Sequence, residues 1–111
     1  MNLHAGWLVA YFFAGAFVTN AFPHLASGLM GRAFQSPFAR PPGQGLSSSR
    51  VNFFWGFANL VLGWVLVARV GAFDPRDAWH VAALGLGSLA IGAFCAHHFG
   101  RFHGGNTSRD T

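Results

Sequence analysis

The chain has 111 residues, 52% of them hydrophobic, 16% aromatic and only 9% charged, with a formal net charge of +4. A soluble domain carries about 25% charged residues, and a small one has proportionately more surface to cover. A soluble monomer is therefore excluded, as is general disorder, which requires low hydrophobicity; an integral membrane protein remains.

Three runs reach the roughly 20 apolar residues that a spanning helix needs, and they define an all-α fold of three transmembrane helices. The first covers residues 3–22 and is followed by Pro23. Residues 1–7 contain no Lys or Arg, and Thr19-Asn20-Ala21 is a poor cleavage site. The run therefore reads as a mature helix rather than a signal peptide. Residues 24–34 place Leu25, Leu29, Ala33 and Phe34 on one helical face, with His24, Ser27, Gly31 and Arg32 mostly opposite. That pattern predicts a short helix lying in the interface. Residues 35–47, rich in Pro and Gly, read as turns and extended chain.

The second run covers residues 51–70, after the capping candidates Ser47, Ser48 and Ser49. Asn52, Gly56, Asn59 and Gly63 recur at steps of four, three and four, hence on one stripe. The third run covers residues 78–99. Asp74 reads as its N-cap, Pro75 as its first residue and Asp77 as a first-turn acid, with Gly100 closing it. Its stripe is Gly85, Ser88, Gly92 and Ala96 with Cys95 alongside; the first helix offers Gly6, Ala10 and Ala14. Small residues let helix backbones approach in lipid and Asn supplies interhelical hydrogen bonds, so these stripes read first as packing surfaces. The single domain is expected to span residues 1–100, with 101–111 a flexible tail.

All seven cations are arginine: Arg32, Arg40, Arg50, Arg69, Arg76, Arg101 and Arg109; there is no Lys and no Glu. They are scattered rather than clustered, which argues against nucleic-acid binding. Five fall on the side of the first loop and the C-terminus. Two, beside Asp74 and Asp77, fall on the other side. The positive-inside rule then places the N-terminus outside and the C-terminus in the cytoplasm. Arg and Ala in place of Lys and Glu suit a GC-rich bacterial genome, hence a bacterial inner membrane.

Asn20, His24, Asn52, Cys95, His97 and His98 all fall toward the cytoplasmic boundary. They read first as interfacial groups. A b-type haem held by His24 with His97 or His98 is the redox alternative, with His4 and His80 as a second pair at the outer end. Cys95 and His98 share a helical face, a donor pair that suits zinc or copper. A lone cysteine excludes an internal disulfide and makes a closed zinc site improbable. No cofactor is expected on balance. Gly-x-Ser-x-Gly, phosphate-loop and His-Glu-x-x-His motifs are missing, and the only carboxylates, Asp74, Asp77 and Asp110, lie outside the apolar runs. The reading leans away from an enzyme and toward a small assembly or interaction subunit that pairs with itself or a larger membrane partner. The rivals are a passage for a small neutral solute lined by Asn52 and Asn59, and a haem- or metal-binding redox protein.

Overall fold

The computed structural model describes residues 4–108. Three helices dominate: α1 (Ala5–Leu29), α2 (Ser49–Ala68) and α3 (Ala78–His103). All three are long and apolar enough to cross a bilayer. At 1.5 Å per residue they measure about 30 to 40 Å, which matches or exceeds a hydrocarbon core of about 30 Å.

Helix α1 is the centre. It packs on both α2 and α3, whereas α2 and α3 scarcely meet. Gly28, Ala21 and Ala14 of α1 face Ser49–Phe53, Gly56 and Gly63 of α2 in reverse order, so these two helices are antiparallel. Phe12, Gly15, Thr19 and Asn20 face Gly87, Ser88, Gly92 and Cys95 in the same order, so α1 and α3 run parallel. One end of the bundle therefore gathers the start of α1, the 69–77 turn and the start of α3. The other gathers the 30–48 loop and the end of α3.

Several boundaries differ from the sequence reading, each for a local reason. Pro23 does not end α1. It withdraws one N–H from the helical ladder, but the residues beyond it, Leu25 and Gly28, lie against α2, and that packing carries the helix to Leu29. No separate interfacial helix forms, because residues 24–29 are the last turns of α1. The loop instead carries an antiparallel ribbon, β1 (Phe34–Gln35) and β2 (Leu46–Ser47), with Phe34 opposite Ser47 and Gln35 opposite Leu46. Ser48 is the N-cap of α2, its hydroxyl accepting from the Val51 N–H at 3.2 Å.

The N-cap of α3 is Asp77 rather than Asp74. Its carboxylate accepts from the Trp79 and His80 N–H groups at 2.9 and 3.3 Å. Asp74 is spent on a turn, accepting from the Arg76 N–H at 2.9 Å. Gly100 does not close α3. The helix continues through Arg101, Phe102 and His103 and stops at Gly104, whose φ of 79° is the left-handed conformation usual for a glycine C-cap. Beyond it Asn106 folds back and donates to the His97 carbonyl at 2.8 Å. The expected tail from 101 is thus structured at least through this turn; residues 109–111 lie outside the described part.

Candidate functional site

The α1–α2 seam is made by the whole polar and small stripe of α2. Asn52, Gly56, Asn59 and Gly63 are its four buried residues. A Cβ on Gly56 would lie 2.7 Å from Leu25 Cγ and 2.8 Å from the Leu25 backbone nitrogen, so nothing larger than hydrogen fits without separating the helices. Asn59, with no exposed surface, accepts from Asn20 Nδ2 at 3.1 Å and donates to the Trp55 carbonyl at 2.8 Å. Both ends of the carboxamide are engaged inside the protein.

The α1–α3 seam is rotated from the stripe read in the sequence. Gly87, not Gly85, is buried there; a Cβ on Gly87 would run into the Phe12 carbonyl oxygen. Ser88 donates its hydroxyl to the Gly15 carbonyl at 3.2 Å. Gly92 touches Thr19 at ordinary distance, while Gly85 and Ala96 are exposed. The sequence stripe fails here because glycines occur at both 85 and 87. Spacing alone cannot choose between two faces about 200° apart. On α1, Ala10 and Ala14 are buried and Gly6 faces open space.

At the loop end His24, only 2% exposed, holds Asn52 at 2.7 Å through Nδ1. Asn52 Nδ2 faces three carbonyls, those of Phe34, Ser47 and Ser48, at 3.0 to 3.2 Å. Only the amide nitrogen can serve three acceptors, so the Asn52 oxygen must face His24 and the imidazole donates from Nδ1. Neutral His24 is then an acceptor at Nε2. One fully buried carboxamide thereby ties α1, α2 and both strands of the ribbon together.

Helix α3 closes the loop from the other side. His98 Nε2 donates to the Gly43 carbonyl at 2.6 Å. The His103 ring stacks on Phe34 with centroids 5.0 Å apart, and its Nε2 donates to Gln35 Oε1 at 2.8 Å. Ser36 and Ser47 hydroxyls meet at 2.6 Å. Between these elements lies a cavity of about 150 Å³, lined by Asn20, His24, Trp55, Cys95, His98 and Phe99 among others. The Cys95 thiol donates to Asn20 Oδ1 at 3.5 Å. Trp55 Nε1 is buried without a hydrogen-bond partner.

Of the polar cluster read from the sequence, Asn20, His24, Cys95 and His98 meet in this cavity, and Asn52 lies just behind it. His97 does not join them. It is exposed, about 100° around α3 from His98. For a haem between His24 and α3 this leaves His98, whose Nε2 is already committed to Gly43. Among the described residues no three His, Cys, Asp or Glu side chains are grouped to hold a metal ion. Gln35 and Ser36 of the loop and His103 at the end of α3 were missed in the sequence, where only their polarity in a Pro/Gly-rich stretch or an expected tail marked them, and Ser47 was read there only as a capping candidate.

At the opposite end His80 accepts from the Asp74 N–H at 3.0 Å through Nδ1 and packs edge-on against Tyr11, with centroids 5.1 Å apart. His4 stacks on Trp7 at 3.9 Å, and Trp7 covers Gly71. His4 and His80 thus sit near one another through Trp7 (centroids 6.4 Å from His80) rather than as a facing pair. No family model, no curated protein and no solved structure matches the chain.

Proposed function

We propose that this chain is a three-pass inner-membrane protein, N-terminus outside, that works as an assembly subunit by pairing α3 with a second copy of itself. The observation that carries the reading is the outer face of α3. Ala78, Ala82, Gly85, Ala93 and Ala96 lie exposed at helical spacing, with Leu89 the one large side chain between Gly85 and Ala93 on the same stripe, and a Cβ on Gly85 would meet nothing within 4 Å. In hydrocarbon such a face has no hydrophobic reason to be small. Small residues favour association there because they let a second backbone approach. The internal seams already use Gly56, Gly63 and Gly87, so this face is additional to the fold. Its orientation in the membrane rests on the arginine asymmetry between the two ends. The engaged carboxamides of Asn52 and Asn59 favour a structural role for both over a solute path.

Oxidative cross-linking in native membranes tests the reading, with Gly85→Cys in a Cys95→Ala background. A disulfide-linked species of twice the chain mass is expected at Gly85 and not at Leu62→Cys, an exposed control on α2. Equal cross-linking at the two positions, or none at Gly85, sinks it. A product of another mass would replace the second copy by a different subunit.

A further inference from the structure

Charge is divided unevenly between the two ends of the bundle. The described acids, Asp74 and Asp77, lie in the 69–77 turn, whereas Arg32, Arg40, Arg50 and Arg101 lie at the loop end, with no carboxylate there among the described residues. The sole ion pair among the described residues, His80 with Asp77, belongs to the opposite end. Arg50 therefore carries a full charge with no anion beside it in the described chain. It also stands at the head of an open groove of about 630 Å³, whose other walls are Phe38, Val51, Phe54, Trp55 and Ala58. Phe38 comes from the loop and meets the Trp55 ring edge-on, with centroids 5.2 Å apart. Phe38 and Phe54 are 64% and 62% exposed, so the groove presents large aromatic faces that the described chain leaves uncovered.

We propose that this groove holds an acyl chain of an anionic phospholipid of the phosphatidylglycerol class, with its phosphate on Arg50. Depth and charge together select that occupant. Helix α2 has 20 residues, or about 30 Å, the thickness of a hydrocarbon core. Arg50, its second residue, therefore stands at headgroup level. Phe54 and Ala58 follow one and two turns below, at the level of the acyl chains. A guanidinium at the upper level pairs with phosphate through charge-assisted, often bidentate hydrogen bonds. The cationic end of a zwitterionic head would find no carboxylate at this end of the bundle, only further arginines, so a net negative head is favoured. Free phosphate would answer Arg50 alone; a lipid answers the arginine and the apolar walls in one molecule. The inference rests on the membrane-spanning reading, but neither on the pairing of α3 nor on which end faces the cytoplasm.

Brominated lipid chains quench tryptophan fluorescence on contact, and Trp55 lines the groove. The full chain, with Trp7, Trp64 and Trp79 replaced by Phe, is reconstituted in phosphatidylcholine vesicles. Dibrominated phosphatidylglycerol or dibrominated phosphatidylcholine is then titrated in. A companion variant retains Trp64 alone, on the exposed face of α2. Phosphatidylglycerol should bind at Trp55 about five times better than phosphatidylcholine, the preference that one arginine confers near an anionic lipid, and no better at Trp64. Arg50→Gln should abolish the preference at Trp55, and Arg40→Gln, outside the groove, should retain it. The natural four-tryptophan chain gives a second reading, as lipid adducts counted by native mass spectrometry after mixing with equal amounts of the two unbrominated lipids. Phosphatidylglycerol adducts should fall about fivefold in Arg50→Gln and not in Arg40→Gln. Equal affinities of the two lipids at Trp55 overturn the proposal, as does a preference that survives Arg50→Gln. Quenching of Trp64 but not of Trp55 would mean that protein covers the groove, which also overturns it. Trp64 unquenched as well would show that the helices do not lie in lipid, and the membrane-spanning reading would fall first.

Discussion

Replacing Asn52 by Leu is the sharpest test of how the loop is held. The side chain is fully buried, and it satisfies the imidazole of His24 on one side and carbonyls of Phe34, Ser47 and Ser48 on the other. Leucine has nearly the same bulk and neither polar end. The His24 Nδ1–H then stays buried without a partner, at a cost of about 1–3 kcal/mol. The two amide protons lost to the ribbon add about 1 kcal/mol more. The Ser48 carbonyl is spared, since it also accepts the Asn52 backbone N–H at 3.0 Å. A total of about 3 kcal/mol is expected. Asn59→Leu severs one interhelical bond, to Asn20, and one bond to a carbonyl of its own helix; about 1 kcal/mol is expected there. For a chain of this size the difference corresponds to roughly 10 °C in Tm, readable by thermal unfolding in detergent. The effect should also be local. Chymotryptic cleavage after the exposed Phe38 should accelerate in Asn52→Leu and not in Asn59→Leu. Equal Tm losses in the two variants, with unchanged cleavage, would show that Asn52 does not organise the loop.

Two paired substitutions and one labelling experiment extend the test. Gly87→Leu should cost several kcal/mol, since its first added carbon meets the Phe12 carbonyl. Gly85→Leu, into open space, should leave the Tm of the detergent-solubilised monomer within about 2 °C. His98→Ala should lower stability by about 1 kcal/mol through the lost bond to Gly43, whereas His97→Gln should be silent in the same assay. Gln44→Cys in a Cys95→Ala background lies on the exposed loop; an impermeant maleimide added outside intact cells should not label it, and labelling would reverse the orientation.

The three long helices were legible because each needs only length and apolar composition, and the α2 seam because its small and polar residues repeat at one spacing with no competing set. The third helix defeated that reasoning at residues 85–88, where Gly-Leu-Gly-Ser offers two adjacent solutions and only the position of Phe12 decides. Caps shifted where several candidates cluster, as at Asp74 and Asp77. Pro23 is a sound stop signal in isolation; tertiary packing of Leu25 and Gly28 on α2 overrode it. The cavity at the loop end was half visible. Asn20, His24, Cys95 and His98 share a depth in the bundle, which helix spacing reveals. The closing ribbon depends on bonds between residues 11 to 68 positions apart, and no local pattern announces them.

The central position of α1 also sets an order in time. The α1–α2 hairpin is closed by a loop of fewer than 20 residues, and its clamp, His24 to Asn52, spans 28 positions. The α1–α3 bonds span 73 and 75. Loop closure costs more as the separation grows, and α3 leaves the ribosome last. A released chain truncated after residue 77 should therefore already hold the first strand of the ribbon through Asn52, while Phe34 lacks the ring of His103 that stacks on it. The last helical turn of α3 thus adds a late contact to the loop, the ring of His103 on Phe34, to an α1–α2 clamp already in place.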